Sequence, residues 1–157
     1  MADNYLEQLV SEWYSYQGYF IRQNIHVGKR QLGGYECELD IVAFSPEKNH
    51  LIHIEPSMDT DSWATREVRY KRKFESGMKH IPSLFRGFKI PKTIEQIALF
   101  SYASKRNRAK IGGGKIMTVR ELFQQISAEL ENKRVAKEIV PQSLPILRTI
   151  QFMQEYK

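Results

Sequence analysis

The chain predicts an α/β fold, a mixed central sheet of about four to five strands flanked by helices, in the order α-β-β-β-α-β-β-α-α. Three observations carry that expectation. Apolar residues recur at helical spacing near the start, at Leu6, Leu9, Val10, Trp13 and Tyr14. Two strand-like runs, residues 36–44 and 51–57, stand on either side of a short polar break. A long amphipathic stretch then separates this pair from another apolar run at 94–103, an arrangement that allows parallel pairing through a crossover.

Composition bounds the rest. A chain of 157 residues with 41% hydrophobic content can build one domain with a substantial core and is too short for two ordinary ones. A single domain over 1–157 is expected, with 141–157 as a C-terminal helical extension. Twenty-four Lys and Arg against eighteen acids give a formal charge of +6, and the pI is near 9.4. That excess favours a polyanionic partner such as DNA, although a basic surface also serves plain solubility. Cys37 is the single cysteine, which excludes an intramolecular disulfide and multi-cysteine zinc sites and fits a reducing compartment. The start carries no positive leader followed by an apolar run, and no stretch approaches bilayer length. A cytoplasmic location without membrane contact is therefore expected.

In chain order, Asp3 or Asn4 caps a first helix of about four turns, and Gly18 ends it. Residues 19–27 are rich in aromatic and β-branched side chains and read as a first strand, followed by a turn with Gly28, Gly33 and Gly34. Alternation in 36–44 puts Glu36, Glu38, Asp40, Val42 and Phe44 on one face and Cys37, Leu39, Ile41 and Ala43 on the other. The short turn 45–50 makes 36–57 an antiparallel hairpin, whose second arm sets Leu51, His53, Glu55 and Ser57 on one face. A helix is expected from Ser62 to His80, with Trp63, Tyr70, Phe74, Met78 and Ile81 as its apolar line and Pro82 as its stop. Residues 94–103 then read as a buried strand and Lys115 to Met117 as a short last one. Thr118 and Glu121 form a capping-box pattern ahead of Val119, Leu122, Phe123, Ile126 and Leu130. Beyond Pro141 and Pro145, the residues Ile146, Leu147, Ile150, Met153 and Tyr156 give a terminal helix a wide apolar face, which packs on the domain or on a second copy as a homodimer.

The chemistry concentrates on the hairpin. Asp40 and Glu55 place carboxylates in strands that are otherwise apolar, and burying them costs several kcal/mol unless a partner or metal compensates. Helix, strand, hairpin, helix, strand, with acids on the hairpin, resembles the PD-(D/E)XK nuclease superfamily and its restriction-endonuclease-like fold. The resemblance covers about residues 3–103. It implies a metal-dependent DNA endonuclease in which Asp40 and Glu55 bind Mg²⁺ or Mn²⁺ and Glu7 of the first helix assists directly or through water. The family's lysine, which orients the attacking water and offsets negative charge, is expected two residues after the Glu, where this chain has Ser57. Leu39 also stands where the pattern has proline. In some branches of the superfamily the lysine comes from the following helix, which here offers Lys71 and Lys73 on opposite shoulders of the Tyr70/Phe74 line. If neither serves, the fold remains as a catalytically inactive DNA-binding or assembly module.

Other readings stand beside this one. Asp40 and Glu55 can instead form a buried ion pair with Arg66 or Lys71. Glu38 is either exposed or shares a metal with Asp40. His53 shares the Glu55 face, where a lone histidine is more often a satisfied core group. Arg66, Arg69, Lys105, Arg106, Arg108 and Lys110 are the candidate phosphate contacts, helped by the Gly112–Gly114 backbone amides, unless the loop is merely a solvated charged one. The Gly-Gly-Gly-Lys run is no Walker motif, because Ala109 and Ile116 occupy positions that need glycine and a hydroxyl residue. No Gly-x-Ser-x-Gly elbow is present.

Overall fold

A computed structural model describes residues 4–105 and 107–157. Its elements are α1 (Tyr5–Tyr16), β1 (Phe20–Lys29), β2 (Tyr35–Ser45), β3 (His50–Ser57), α2 (Trp63–Leu84), β4 (Glu95–Phe100), β5 (Lys110–Ile111), β6 (Gly114–Thr118), α3 (Val119–Leu130), α4 (Val135–Glu138) and α5 (Pro145–Glu155). They form an α/β domain around one six-stranded mixed sheet in the order β1-β2-β3-β4-β6-β5. β1, β2 and β3 pair antiparallel, and β3, β4 and β6 run parallel. The parallel pairing of β3 with β4 is the crossover expected from the intervening helix.

The sheet has six strands rather than four to five. The addition is β5, two residues long and antiparallel to β6 across a Gly112–Gly113 turn with φ of +55° and +87°. A two-residue strand carries no periodicity, and the composition around it is that of a basic loop. Three helices follow β6 instead of two, because the four-residue α4 precedes α5.

Two layers cover the sheet. On one side α1, α3 and α5 bury Leu6, Leu9, Trp13, Leu122, Ile126 and Leu147 against Ile41, Ala43, Ile52, Ile54 and Leu99. On the other, α2 covers Val42, Phe44 and Leu51 through Ile81, and Ala98, Phe100 and Ile116 through Tyr70 and Phe74. The terminal segment is thus part of the domain: Leu147 is fully buried, and its N–H donates to the buried Glu12 at 2.8 Å. Asn4 caps α1, its side chain accepting from the Leu6 and Glu7 amides; Asp3, the alternative cap, lies outside the described residues. The Thr118–Glu121 capping box forms as expected.

Three local expectations are corrected. α2 runs through Pro82 to Leu84, because the missing Pro82 N–H removes one bond while Ile81 stays buried and holds the last turn to the core. Met78 is half exposed, and Gly77 takes the buried position beside it. Strict alternation in β2 fails at Asp40: Leu39 packs with Val42 and Phe44 under α2, while Ile41 and Ala43 face α1. Directly across from Asp40, between the pairs Gln23↔Ile41 and Ile25↔Leu39, Asn24 adopts φ of +51° and breaks the pleat. Among the described residues, no helix is long and apolar enough to cross a membrane.

Candidate active site

The pairing Val42↔His53 and Ile41↔Ile54 makes Asp40 and Glu55 cross-strand neighbours on the central strands. α2 crosses above them and lowers Lys73 between the two carboxylates. Lys73 Nζ donates to Asp40 Oδ1 at 3.0 Å and to Glu55 Oε2 at 2.5 Å. Glu55 Oε1 accepts the Asp40 backbone N–H at 3.1 Å and His53 Nε2 at 2.7 Å. The Glu55 side chain is 1% exposed, Asp40 16% and Lys73 24%, so the cluster opens to solvent on the Asp40 and Lys73 side.

The two carboxylates titrate apart. Burial, then the adjoining Glu55, pushes Asp40 up to about 8. Burial acts on Glu55 as well, yet the His53 hydrogen bond, with Lys73 and Asp40 adding to it, holds Glu55 well below the ordinary carboxylate range. Lys73 is raised, because both acids outweigh its own burial. The two carboxylates are pushed in opposite directions, as neighbouring acids are.

The geometry selects between the two lysines. Lys73 reaches the acids, whereas Lys71 is exposed on the other shoulder of α2, where the Gly112 turn lies against its backbone. Ser57 does not face the acids. Its Oγ is hydrogen-bonded to Asp59, whose N–H returns a bond at 3.1 Å. Asp59 in turn binds Arg66 Nε at 2.9 Å and Arg69 at 2.7 Å.

Arg66 was expected on the nucleic-acid surface and is instead 3% exposed. Its guanidinium donates to the Asp59 and Tyr102 carbonyls at 3.0 Å and lies over the Trp63 and Phe100 rings. An arginine held between aromatic faces and a carboxylate is a structural strut. Arg69 is committed to Asp59 and Asp61, Lys105 to Glu121 at 2.7 Å, and Arg108 lies over Trp63. Lys110 is exposed on β5, and Arg106 lies outside the described residues. Glu38 pairs with His26 at 3.1 Å and so turns away from Asp40. Glu7 stands on α1, accepts from Asn4 at 3.4 Å and lines a shallow cleft with Gln8, Ser11, Ser15 and Gln23. It belongs to the layer opposite α2. Neither Arg66 nor Lys71 forms the buried ion pair with the acids; Lys73 does.

Sequence reasoning missed Gln96 and Gly77. Gln96 Nε2 donates to His53 Nδ1 at 3.1 Å and to the Phe74 carbonyl at 2.9 Å. A glycine inside an otherwise apolar helical line is the signal that a neighbour approaches closely, and at Gly77 an added Cβ would run into the His53 ring.

Among the described residues no group of three or more His, Cys, Asp and Glu is placed to hold a metal ion. Asp40 and Glu55, which both reach Lys73 Nζ, are the pair that could hold a divalent cation, since Mg²⁺ keeps several waters and uses one or two carboxylates beside substrate phosphate.

No family model matches the chain, and no curated protein matches it. Among solved structures, one titled "Crystal Structure of Protein of Unknown Function AF1548" is similar, with a TM-score of 0.50 at 14% identity over 77% of this chain. The match spans 65% of that protein's length. It supports the α/β architecture.

Proposed function

We propose that the domain is a restriction-endonuclease-like phosphodiesterase, a metal-dependent DNA endonuclease whose lysine comes from α2. The observation that carries this reading is Lys73 Nζ lying within hydrogen-bond reach of both Asp40 and Glu55, while Ser57, at the usual lysine position, is turned to Asp59. Asp40 Oδ1 and Glu55 Oε2 would hold the cation. When bound, it polarises the scissile phosphate and lowers the pKa of an attacking water. Lys73, moved off the acids, stays charged and offsets the negative charge that builds on the phosphoryl oxygens. The phosphate backbone is assigned to the open cleft between α2 and the β1–β2 turn, where Arg30, Lys71, Arg72 and Lys79 outnumber the acids Glu36 and Glu75. That cleft includes Ser76, which lies about one turn of α2 beyond Lys73.

The test is cleavage of supercoiled and oligonucleotide DNA with Mg²⁺ or Mn²⁺. Asp40→Ala should abolish cleavage and Lys73→Met should reduce it on the order of a hundredfold or more; retention of metal-dependent cleavage by Asp40→Ala in the same preparation removes the proposal. A second reading, a non-catalytic DNA-binding or assembly module, is favoured by one observation: Lys73 already satisfies both acids as a built-in cation. In that case Lys73→Met gains metal affinity, and no variant or metal gives turnover.

A further inference from the structure

Behind the acids lies a closed circuit of hydrogen bonds. It runs from Lys73 and Phe74 on α2 through Gln96 on β4 to His53 and Glu55 on β3, and back to Lys73. Its direction is determined chemically. The Phe74 carbonyl can only accept, so the Gln96 atom 2.9 Å from it is the amide nitrogen. The second hydrogen of that nitrogen points to His53 Nδ1 at 3.1 Å. Nδ1 therefore accepts, and Nε2 carries the proton donated to Glu55 Oε1. The ring is fully buried, packs edge-on against Phe74 with centroids 5.4 Å apart, and meets the Cα of Gly77, where no Cβ fits.

The consequence falls on Glu55. Its Oε1 receives two donors, His53 Nε2 and the Asp40 N–H, which use its in-plane lone pairs. Oε2 alone faces Asp40 Oδ1 and Lys73. A carboxylate held this way offers a cation one oxygen. Mg²⁺ and Mn²⁺ sites accept such ligands, whereas Ca²⁺ takes six to eight oxygens and often a bidentate carboxylate.

We propose that His53, locked by Gln96, is a positioning residue that holds Glu55 as a one-oxygen ligand and so selects Mg²⁺ or Mn²⁺ over Ca²⁺. This rests on the reading of Asp40 and Glu55 as a metal site. Partners behind a ligand typically carry about ten- to a hundredfold of metal affinity, enough to set a preference between ions.

The test is calorimetric titration of the intact chain with Mg²⁺, Mn²⁺ and Ca²⁺ separately, without nucleic acid. His53→Leu, which removes the donor at similar volume, should shrink the Mg²⁺ over Ca²⁺ preference by about tenfold. His53→Gln, which keeps an N–H near Oε1, should restore most of it. Gln96→Met frees the ring and should shift the ratio in the same direction by less, which keeps the test open if His53→Leu does not fold. Imidazole ¹⁵N spectra of the parent protein should show Nε2 protonated and Nδ1 bare. An Asp40-sensitive site whose ion preference is unchanged in both His53→Leu and Gln96→Met overturns the role of His53 alone. Weak binding that is indifferent to Asp40→Ala overturns the metal site and this inference with it. A protonated Nδ1 overturns the lock.

Discussion

Lys73 and Lys71 are two residues apart on one helix, and their different environments make a sharp comparison. Lys73→Met should reduce cleavage on the order of a hundredfold or more, while Lys71→Met leaves the rate per bound substrate unchanged; single-turnover assays at saturating protein separate the two. Asp40 adds a pH dependence. Below about 8 it carries a proton that a metal must displace, so Mg²⁺ affinity should rise with pH toward that value and then level off. Titration calorimetry in buffers of different ionisation enthalpy reads the released proton directly. The sign for stability is opposite. Because the folded pKa of Asp40 is raised, its contribution in the metal-free protein is fully present below the unfolded value near 4 and is lost as pH rises through about 8. Glu55, lowered, stabilises only above its unfolded value and loses that contribution in acid. Thermal melts from pH 5 to 9 without metal should therefore fall, and saturating Mg²⁺ should reverse the fall. The acids and the lysine pair were legible in the sequence, because charge in an apolar strand and the helix step are both local facts. The choice of Lys73 was not, since it depends on how α2 rolls over the sheet.

At the scale of elements, α2 is set by what it must accommodate. On propensity alone Gly77→Ala would stabilise a helix by about 1 kcal/mol, but the added Cβ would meet the buried His53 ring. Overpacking costs about 1–3 kcal/mol, so the net effect should be destabilising, and denaturant unfolding measures it. The apolar pattern pointed to Met78 at this level of the helix because a glycine carries no hydrophobic signal. The same blindness hid Arg66, whose charge reads as surface although its guanidinium is buried with Asp59. Asp59→Ala would remove the counter-charge of Arg66 while leaving the Asp59 and Tyr102 carbonyls as acceptors, and should cost about 1–3 kcal/mol. A smaller loss would mean that water reaches Arg66 in its place. The hairpin of β2 and β3 was readable because a polar turn separates two apolar arms. The two-residue β5 was not, because it forms only where β6 offers an edge.

For the whole molecule, net charge overstates what remains for a partner. The formal charge is +6, yet Arg66, Arg69 and Lys105 are engaged with acids inside the domain, and Lys73 is held between Asp40 and Glu55. The composition favoured a polyanion over plain solubility charge, and only the fold shows which cations remain in one place. Arg30, Lys71, Arg72 and Lys79 share one open cleft with Glu36 and Glu75, and Lys79 pairs with Glu36 at 3.6 Å. If Arg30, Lys71 and Arg72 meet phosphates, duplex DNA affinity should fall with salt at a logarithmic slope of about −3, from about 0.9 counterions released per phosphate contact. A surface using all its charge would give a much steeper slope. Fluorescence anisotropy across a salt series reads it, and Lys71→Ala should lower its magnitude by about 1 while leaving metal binding at Asp40 and Glu55 intact. A slope unchanged by Lys71→Ala would move the nucleic acid to another face. A slope lowered equally by Lys110→Ala would extend the track across the sheet to the β5 edge, beyond the ion-paired arginines that the sequence had put forward.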